Sequence, residues 1–234
     1  MNKTFLIIFT FIFTILKSQK CDKINQSINS IGTFSVNTID KIEMDKIIES
    51  KNFPDYNPKV LEIEFQNVFP EFLSDNCLNI ISSNSTFPSF FLCRNLDNNE
   101  KPGAYMKGTF EIISKIKDFY LIKFKGFEYN GFFIFNVISK EFHYFESKPI
   151  ISSNDEIIYS YTEKTHSFNL NFLNTRNNKE IIYQLNGKFK LINIIPFGKN
   201  NFDRGIQFEL HKLPVKIGND LIDPKECKVF LELY

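Results

Sequence analysis

Four cysteines, three histidines and a few spaced carboxylates are the residues of this chain best suited to chemistry. Cys21, Cys77, Cys93 and Cys227 include no close pair of the C-x-x-C kind, so their spacing argues against a zinc site. In an oxidising compartment an even cysteine count reads instead as disulfides. Proximity favours Cys77 with Cys93, which leaves Cys21 with Cys227 to join the two ends of the mature chain. Closing the shorter loop contributes about 3 kcal/mol in the chain-entropy model.

His143, His166 and His211 each lie among strand-like residues with no second histidine or cysteine nearby. That placement reads as surface or pore-lining rather than catalytic. Glu62 and Glu64 alternate along one side of an expected strand, and Asp220, Asp223 and Glu226 share a polar stretch. Paired carboxylates can hydrolyse glycosides when held about 5–10 Å apart, but Glu-x-Glu on a strand is ordinarily a wet face. No G-x-S-x-G, H-E-x-x-H or phosphate-cradling glycine loop occurs, and "DPKE" lacks the ligand density of a calcium loop. No catalytic residue, metal ligand or cofactor is therefore assigned. "NQS" at Asn25 and "NST" at Asn84 would accept N-glycans only in a eukaryotic host.

Cysteine chemistry depends on the compartment, and the first residues speak to that. In "MNKTFLIIFTFIFTILKSQKC", Lys3 precedes an apolar run from Phe5 to Leu16, and Ser18 stands before Gln19. The run suits a signal peptide and is too short to cross a bilayer as a helix. Residues 1–18 are thus expected to be a leader and 19–234 a single exported domain, periplasmic or secreted. Gln19 and Lys20 before Cys21 do not fit a lipidation signal, and no later stretch suits a membrane span. The chain carries 28 basic and 27 acidic side chains, and the leader removes Lys3 and Lys17. Such a balance, without basic clusters, is poorly suited to nucleic acid.

The elements that must position these residues are dominated by aromatics. The chain has 28 phenylalanines, no tryptophan and a single alanine, Ala104. Phe, Asn, Lys and Ile share AT-rich codons, so phenylalanine reads as the core filler of an AT-rich gene rather than as a ligand platform. Phe133, Phe135 and Val137 share one parity, while Phe132 and Ile134 occupy the other, as in a strand covered on both faces. Phe127 and Tyr129, beside the "YNG" turn, are the candidate exposed aromatic contact.

Ten apolar runs after Ala104, from "YMKGTFEIIS" to "CKVFLEL", read as an antiparallel meander over 104–234. Asn186-Gly187 carries the strongest hairpin signal among their turns. Residues 19–103 read as a mixed part: a helix within 37–53, a strand from Val60 to Gln66, a second short helix from Phe72 to Ile80, and a strand at "SFFLCR". The expected fold is mainly β, a partial propeller-like sheet, sandwich or open barrel, with one or two short helices near the N-terminus.

The stretch "GFFIFNVISKEFHYFESKPIISSNDEIIYSYTEK" resembles a blade of the propeller repeats that carry an S-P-D-G-K turn. Pro149 and Ser152 hold their places, and Ser153, Asn154, Asp155 and Glu156 stand where Pro, Asp, Gly and Lys would be. The AT-rich composition and the Ser-Gln context resemble uncharacterised small exported proteins of Bacteroidetes type. Neither resemblance implies an activity.

The functional expectation is a non-catalytic exported protein that binds an unknown protein or envelope partner. The alternatives are a secreted carboxylate-dependent hydrolase and an exported inhibitor or immunity-type protein presenting the loop "CLNIISSNSTFPSFFLC". Intact mass of the exported product should correspond to a chain beginning at Gln19; retention of residues 1–18 would reject the leader.

Overall fold

Apolar residues on both parities of one strand require a partner layer on each face. The computed structural model provides them, and every one of the ten runs after Ala104 contains a strand. It describes residues 26–30, 36–38, 46–82, 88–95, 105–126, 129–199, 203–213, 215–217, 220–222 and 228–233. The N-terminal part comprises β1 (Gln26–Ser30), β2 (Val36–Thr38), β3 (Lys46–Ile47), β4 (Ser50–Asn52), α1 (Pro58–Val68), β5 (Leu73–Ser74), β6 (Cys77–Ile80) and β7 (Phe90–Cys93). Two four-strand meanders follow. The first is β8 (Tyr105–Ile116), β9 (Phe119–Gly126), β10 (Asn130–Asn136) and β11 (Glu141–Phe145). The second is β12 (Ile150–Ser152), β13 (Ile157–Glu163), β14 (Ser167–Asn174) and β15 (Lys179–Asn186). The chain continues through β16 (Phe189–Lys199), β17 (Asp203–Lys212), β18 (Val215–Ile217), β19 (Asp220–Ile222) and β20 (Lys228–Leu233).

Three sheets stack. The first has the order β11-β10-β9-β8-β7-β6-β5, the middle sheet β1-β15-β14-β13-β12-β4, and the third β2-β20-β17-β16-β3; β18 and β19 form a separate pair. Pairing is antiparallel except between β7 and β8. The first sheet curls until Phe142 N donates to Ile81 O at 2.9 Å. One isolated bridge, Ser82 to Phe142, marks that approach, and among the described residues no ladder closes the sheet into a barrel.

Alternation sorts the core into three layers. On β9, Tyr120, Ile122 and Phe124 face the inside of the curl, where they meet Phe133, Phe135 and Phe142 and the helix residues Leu61 and Phe65. The opposite parity, Phe119 and Leu121, packs with Ile134 and Phe145 against Ile151, Ile158 and Leu173 of the middle sheet. The other face of that sheet, including Tyr159, Phe172 and Tyr183, meets Phe189, Ile206 and Leu210 of the third.

Several sequence expectations give way to tertiary context. Val60–Gln66 is helical rather than a strand. Pro58 opens α1 and Asn57 caps it, its side chain accepting from Lys59 N at 3.1 Å. Helical spacing then aligns Leu61 with Phe65 over the aromatic curl. Of the helix expected within 37–53, residues 39–45 lie outside the described residues, and the described flanks include strand segments. Ser50–Asn52 pairs with β12, and Lys46–Ile47 with β16. Phe72–Ile80 also lacks its helix, because Asp75 and Asn76 both take positive φ, 49° and 62°, and fold β5 onto β6.

Asn186-Gly187 does not join a hairpin. β15 pairs with β14 and β1, whereas β16 pairs with β17 and β3, so the chain changes sheets at this point. Gly187 has φ +127°, and an added Cβ would stand 2.8 Å from the Phe189 ring. Glycine is required there by the crossing rather than by a turn.

Phe135 touches the rings of Phe65, Phe69, Phe72 and Phe142 at centroid distances of 5.1, 5.1, 5.1 and 4.8 Å. Phe135→Ala should therefore cost about 3–5 kcal/mol through lost burial and a residual cavity. Tyr129, 49% exposed, should change stability by no more than about 0.5 kcal/mol when replaced by alanine. Urea melts of both variants test this; equal, negligible losses would mean that the curl does not depend on its aromatic interior.

Candidate functional site

Cys77 and Cys93 are bonded, with Cα atoms 4.0 Å apart. They are direct cross-strand partners in the β6–β7 register. Cys21 and Cys227 lie outside the described residues, as does Phe127. Tyr129 is exposed beside β10, and its carbonyl accepts from Gly126 N at 2.7 Å. Among the acidic candidates, Asp223 and Glu226 also lie outside the described residues.

Glu62 and Glu64 sit on a helix, so they project in different directions and cannot share one side as they would on a strand. Each is held by a cation. Arg94 grips Glu62 with two nitrogens at 2.6 Å, donates to Phe110 O at 2.7 Å and lies 3.9 Å from the Phe110 ring centroid. Lys115 and Tyr120 both donate to Glu64 Oε1. The Lys115 bond first, then that of Tyr120, holds the Glu64 carboxyl below its ordinary range. These pairs fasten α1 to the curled sheet; they do not leave two carboxylates converging on a substrate.

A denser polar cluster occupies the joint between the first two sheets. His143 is expected from sequence at a surface or pore, but it is fully buried. β11 is covered on both faces, with Phe142 directed into the curl and His143 toward the middle sheet. Its Nδ1 lies 2.9 Å from Glu180 Oε2 and its Nε2 3.0 Å from Asn178 Oδ1. Asn178 Oδ1 also accepts from Asn136 Nδ2 at 3.0 Å, while Asn178 Nδ2 donates to Glu141 Oε2 at 3.0 Å.

Two turns of the same construction build this cluster. Between β10 and β11, Asn136 Oδ1 accepts from Ile138 N, and Lys140 takes φ 57°. Between β14 and β15, Asn174 Oδ1 accepts from Arg176 N, and Asn178 takes φ 55°. Asparagine suits both roles, because its side chain bonds the backbone two residues on and it tolerates positive φ. The shared signal in the sequence is "FNVISKE" beside "LNTRNNKE", an asparagine four residues before the left-handed position in each. Sequence reasoning missed Asn136, Asn178 and Glu180 because nothing local indicates that the two turns meet.

At the β12–β13 turn, Asp155 is paired with Lys51 at 2.7 Å and Lys117 at 3.2 Å. Burial pushes its carboxyl up, but the bonds from the two lysines outweigh burial and hold it below its ordinary value. Burial also pushes the Tyr144 phenol up to about 12, and those of Tyr159 and Tyr183 upward. These hydroxyls stay protonated at neutral pH. Among the described residues no group of three or more His, Cys, Asp or Glu is arranged to hold a metal ion.

Arg94→Ala should destabilise the fold by about 1.5–3 kcal/mol, the range for hydrogen bonds to charged groups. Arg94→Lys should recover less than half of that, since an ammonium cannot reproduce the planar fork. Denaturant melts would show this order; equal stability of all three proteins would remove the tie between helix and sheet. The chain matches no family model, no curated protein and no solved structure.

Proposed function

We propose that this protein is exported and works without catalysis, as a layered β body that binds a protein or envelope partner. The observation that carries the reading is the outward face of α1. Tyr56, just before the helix, and Val60 and Ile63 within it are 50%, 60% and 61% exposed. Leu61 and Phe65 already supply the face that the fold uses. An apolar outer stripe beyond that need is the kind of surface that associates with another molecule.

The Cys77–Cys93 bond supports the exported location, because such bonds persist in oxidising compartments. No helix among the described residues is long and apolar enough to cross a membrane. A second reading, an inhibitor or immunity-type protein, is favoured by one observation: the disulfide clamps the base of the β6–β7 hairpin, as a rigid displayed loop would require.

The test is size-exclusion chromatography of the tagged protein in an extract of its own compartment. The wild-type chain should elute as a stoichiometric complex, and Val60→Asp combined with Ile63→Asp should return it to the elution volume of the free chain with an unchanged melting temperature. Monomeric wild-type elution, together with turnover of a glycoside or ester, would instead establish the hydrolase. A complex that survives the helix substitutions but is lost when the 77–93 loop is replaced would favour the inhibitor.

A further inference from the structure

We propose that the uncovered part of the first sheet's outer face binds an acidic polysaccharide through Lys107, Lys123 and Lys125. Alternation makes the face. On β8 and β9, Phe110, Ile112, Ile122 and Phe124 point into the curl. Lys107, Thr109, Glu111, Lys123 and Lys125 have the opposite parity and point away from it. Register then sets the neighbours: Thr109 lies opposite Lys125, and Glu111 opposite Lys123. Lys123 and Lys125 are two residues apart on one strand, which separates them by about 7 Å. Lys107, two residues before Thr109, lies diagonally across from Lys125 at about 7–8 Å. Two strands thus bring three ammonium groups into one row that no run of the sequence displays.

The middle sheet covers the other part of this face. Phe119 and Leu121, earlier on β9, pack against it, whereas Lys107, Lys123 and Lys125 are exposed. Cations nearby are already held: Arg94 by Glu62, Lys115 by Glu64, Lys140 by Glu71, and Lys51 with Lys117 by Asp155. Among the described residues none of the three lysines of the row is in an ion pair. Glu111 is the carboxylate among them; it is exposed and likewise in no ion pair. The row therefore keeps three positive charges against one negative. Beyond Lys107 the face continues through Tyr105 and its neighbour Phe91, whose rings stack at 4.8 Å and 14°.

Unneutralised ammonium groups on a flat surface attract a ligand of opposite charge. The row contains lysine and no arginine, so it offers mobile point charges rather than planar forks that clamp one anion. That chemistry suits a polymer whose anionic groups recur along its length better than a single small anion. A bilayer matches less well, because the aromatics of this face are half-buried and stacked on each other, with no apolar side chain projecting toward lipid. Nucleic acid would call for more cations along its backbone. The choice of a polysaccharide rests on the exported location proposed above, since acidic glycans are the polyanions of that setting.

The experiment is binding of the mature protein to polygalacturonate and to heparin, a carboxylated and a sulfated chain, beside neutral dextran. The wild-type chain should bind at least one acidic chain, in a salt-dependent manner, and should ignore dextran. Replacing Lys107, Lys123 and Lys125 together by glutamine should weaken binding about ten-fold or more at an unchanged melting temperature. Glu111→Gln removes the negative charge of the row and should tighten binding, a gain that damage to the fold would not give. Equal binding by the wild type and the triple variant, binding to neither acidic chain, or stronger binding to phosphatidylglycerol vesicles or duplex DNA would overturn the inference. Val60→Asp with Ile63→Asp should leave polysaccharide binding intact, so loss of the complex formed through α1 is read apart from it. Export is likewise read separately, from the mass of the exported product.

Discussion

A sheet covered on both faces has no wet side on which to leave a polar group. The middle sheet is in that position, packed against the curled sheet on one face and the third sheet on the other. Its buried polar residues, among them Ser152, Asn171 and Glu180, must find partners inside the protein. Ser152 Oγ accepts from the backbone of Ile157, Asn171 donates to Tyr144 O, and Glu180 meets His143. Each contact does more than satisfy an atom. The last two cross the sheet interface and align the β10–β11 turn with the β14–β15 turn, which apolar packing alone would leave free to slide.

The curled sheet handles the same constraint with aromatics. Phe65 from α1 packs against Tyr120 and Phe135, both with ring centroids 5.1 Å away and near-perpendicular planes. Edge-to-face contacts of this kind set ring geometry as well as burying area. The rim is sealed by charged residues: Arg94 and Lys115 hold Glu62 and Glu64, and their stems or charges lie over Phe110 and Tyr120. Helix, sheet and rim therefore depend on one another, and the disulfide ties β6 to β7 at the far side of the sheet.

This arrangement bears on function through what it leaves outside. The histidine best connected to other polar groups is enclosed, and the two glutamates on α1 are neutralised by cations. Toward its surroundings α1 exposes Val60, Ile63 and Val68 beside the polar Lys59, Gln66 and Asn67.

By itself the sequence determined the strand content after Ala104, the two-faced burial of strands such as β10, the inward parity of Phe133 and Phe135, and the pairing of Cys77 with Cys93. These follow from local rules: alternation has a period of two, and nearby cysteines close short loops. Tertiary structure decided the rest. "VLEIEF" alternates like a strand, but the Asn57 cap, Pro58 and the aromatic hollow beneath made it a helix. Asn186-Gly187 has hairpin chemistry, but both faces of the middle sheet needed covering, and the chain crossed there to build the third sheet. His143 and Glu180, 37 residues apart, became a pair only because two similar turns stack. Periodicity reports which way a side chain points within its own strand; it carries no information about which strand will lie opposite.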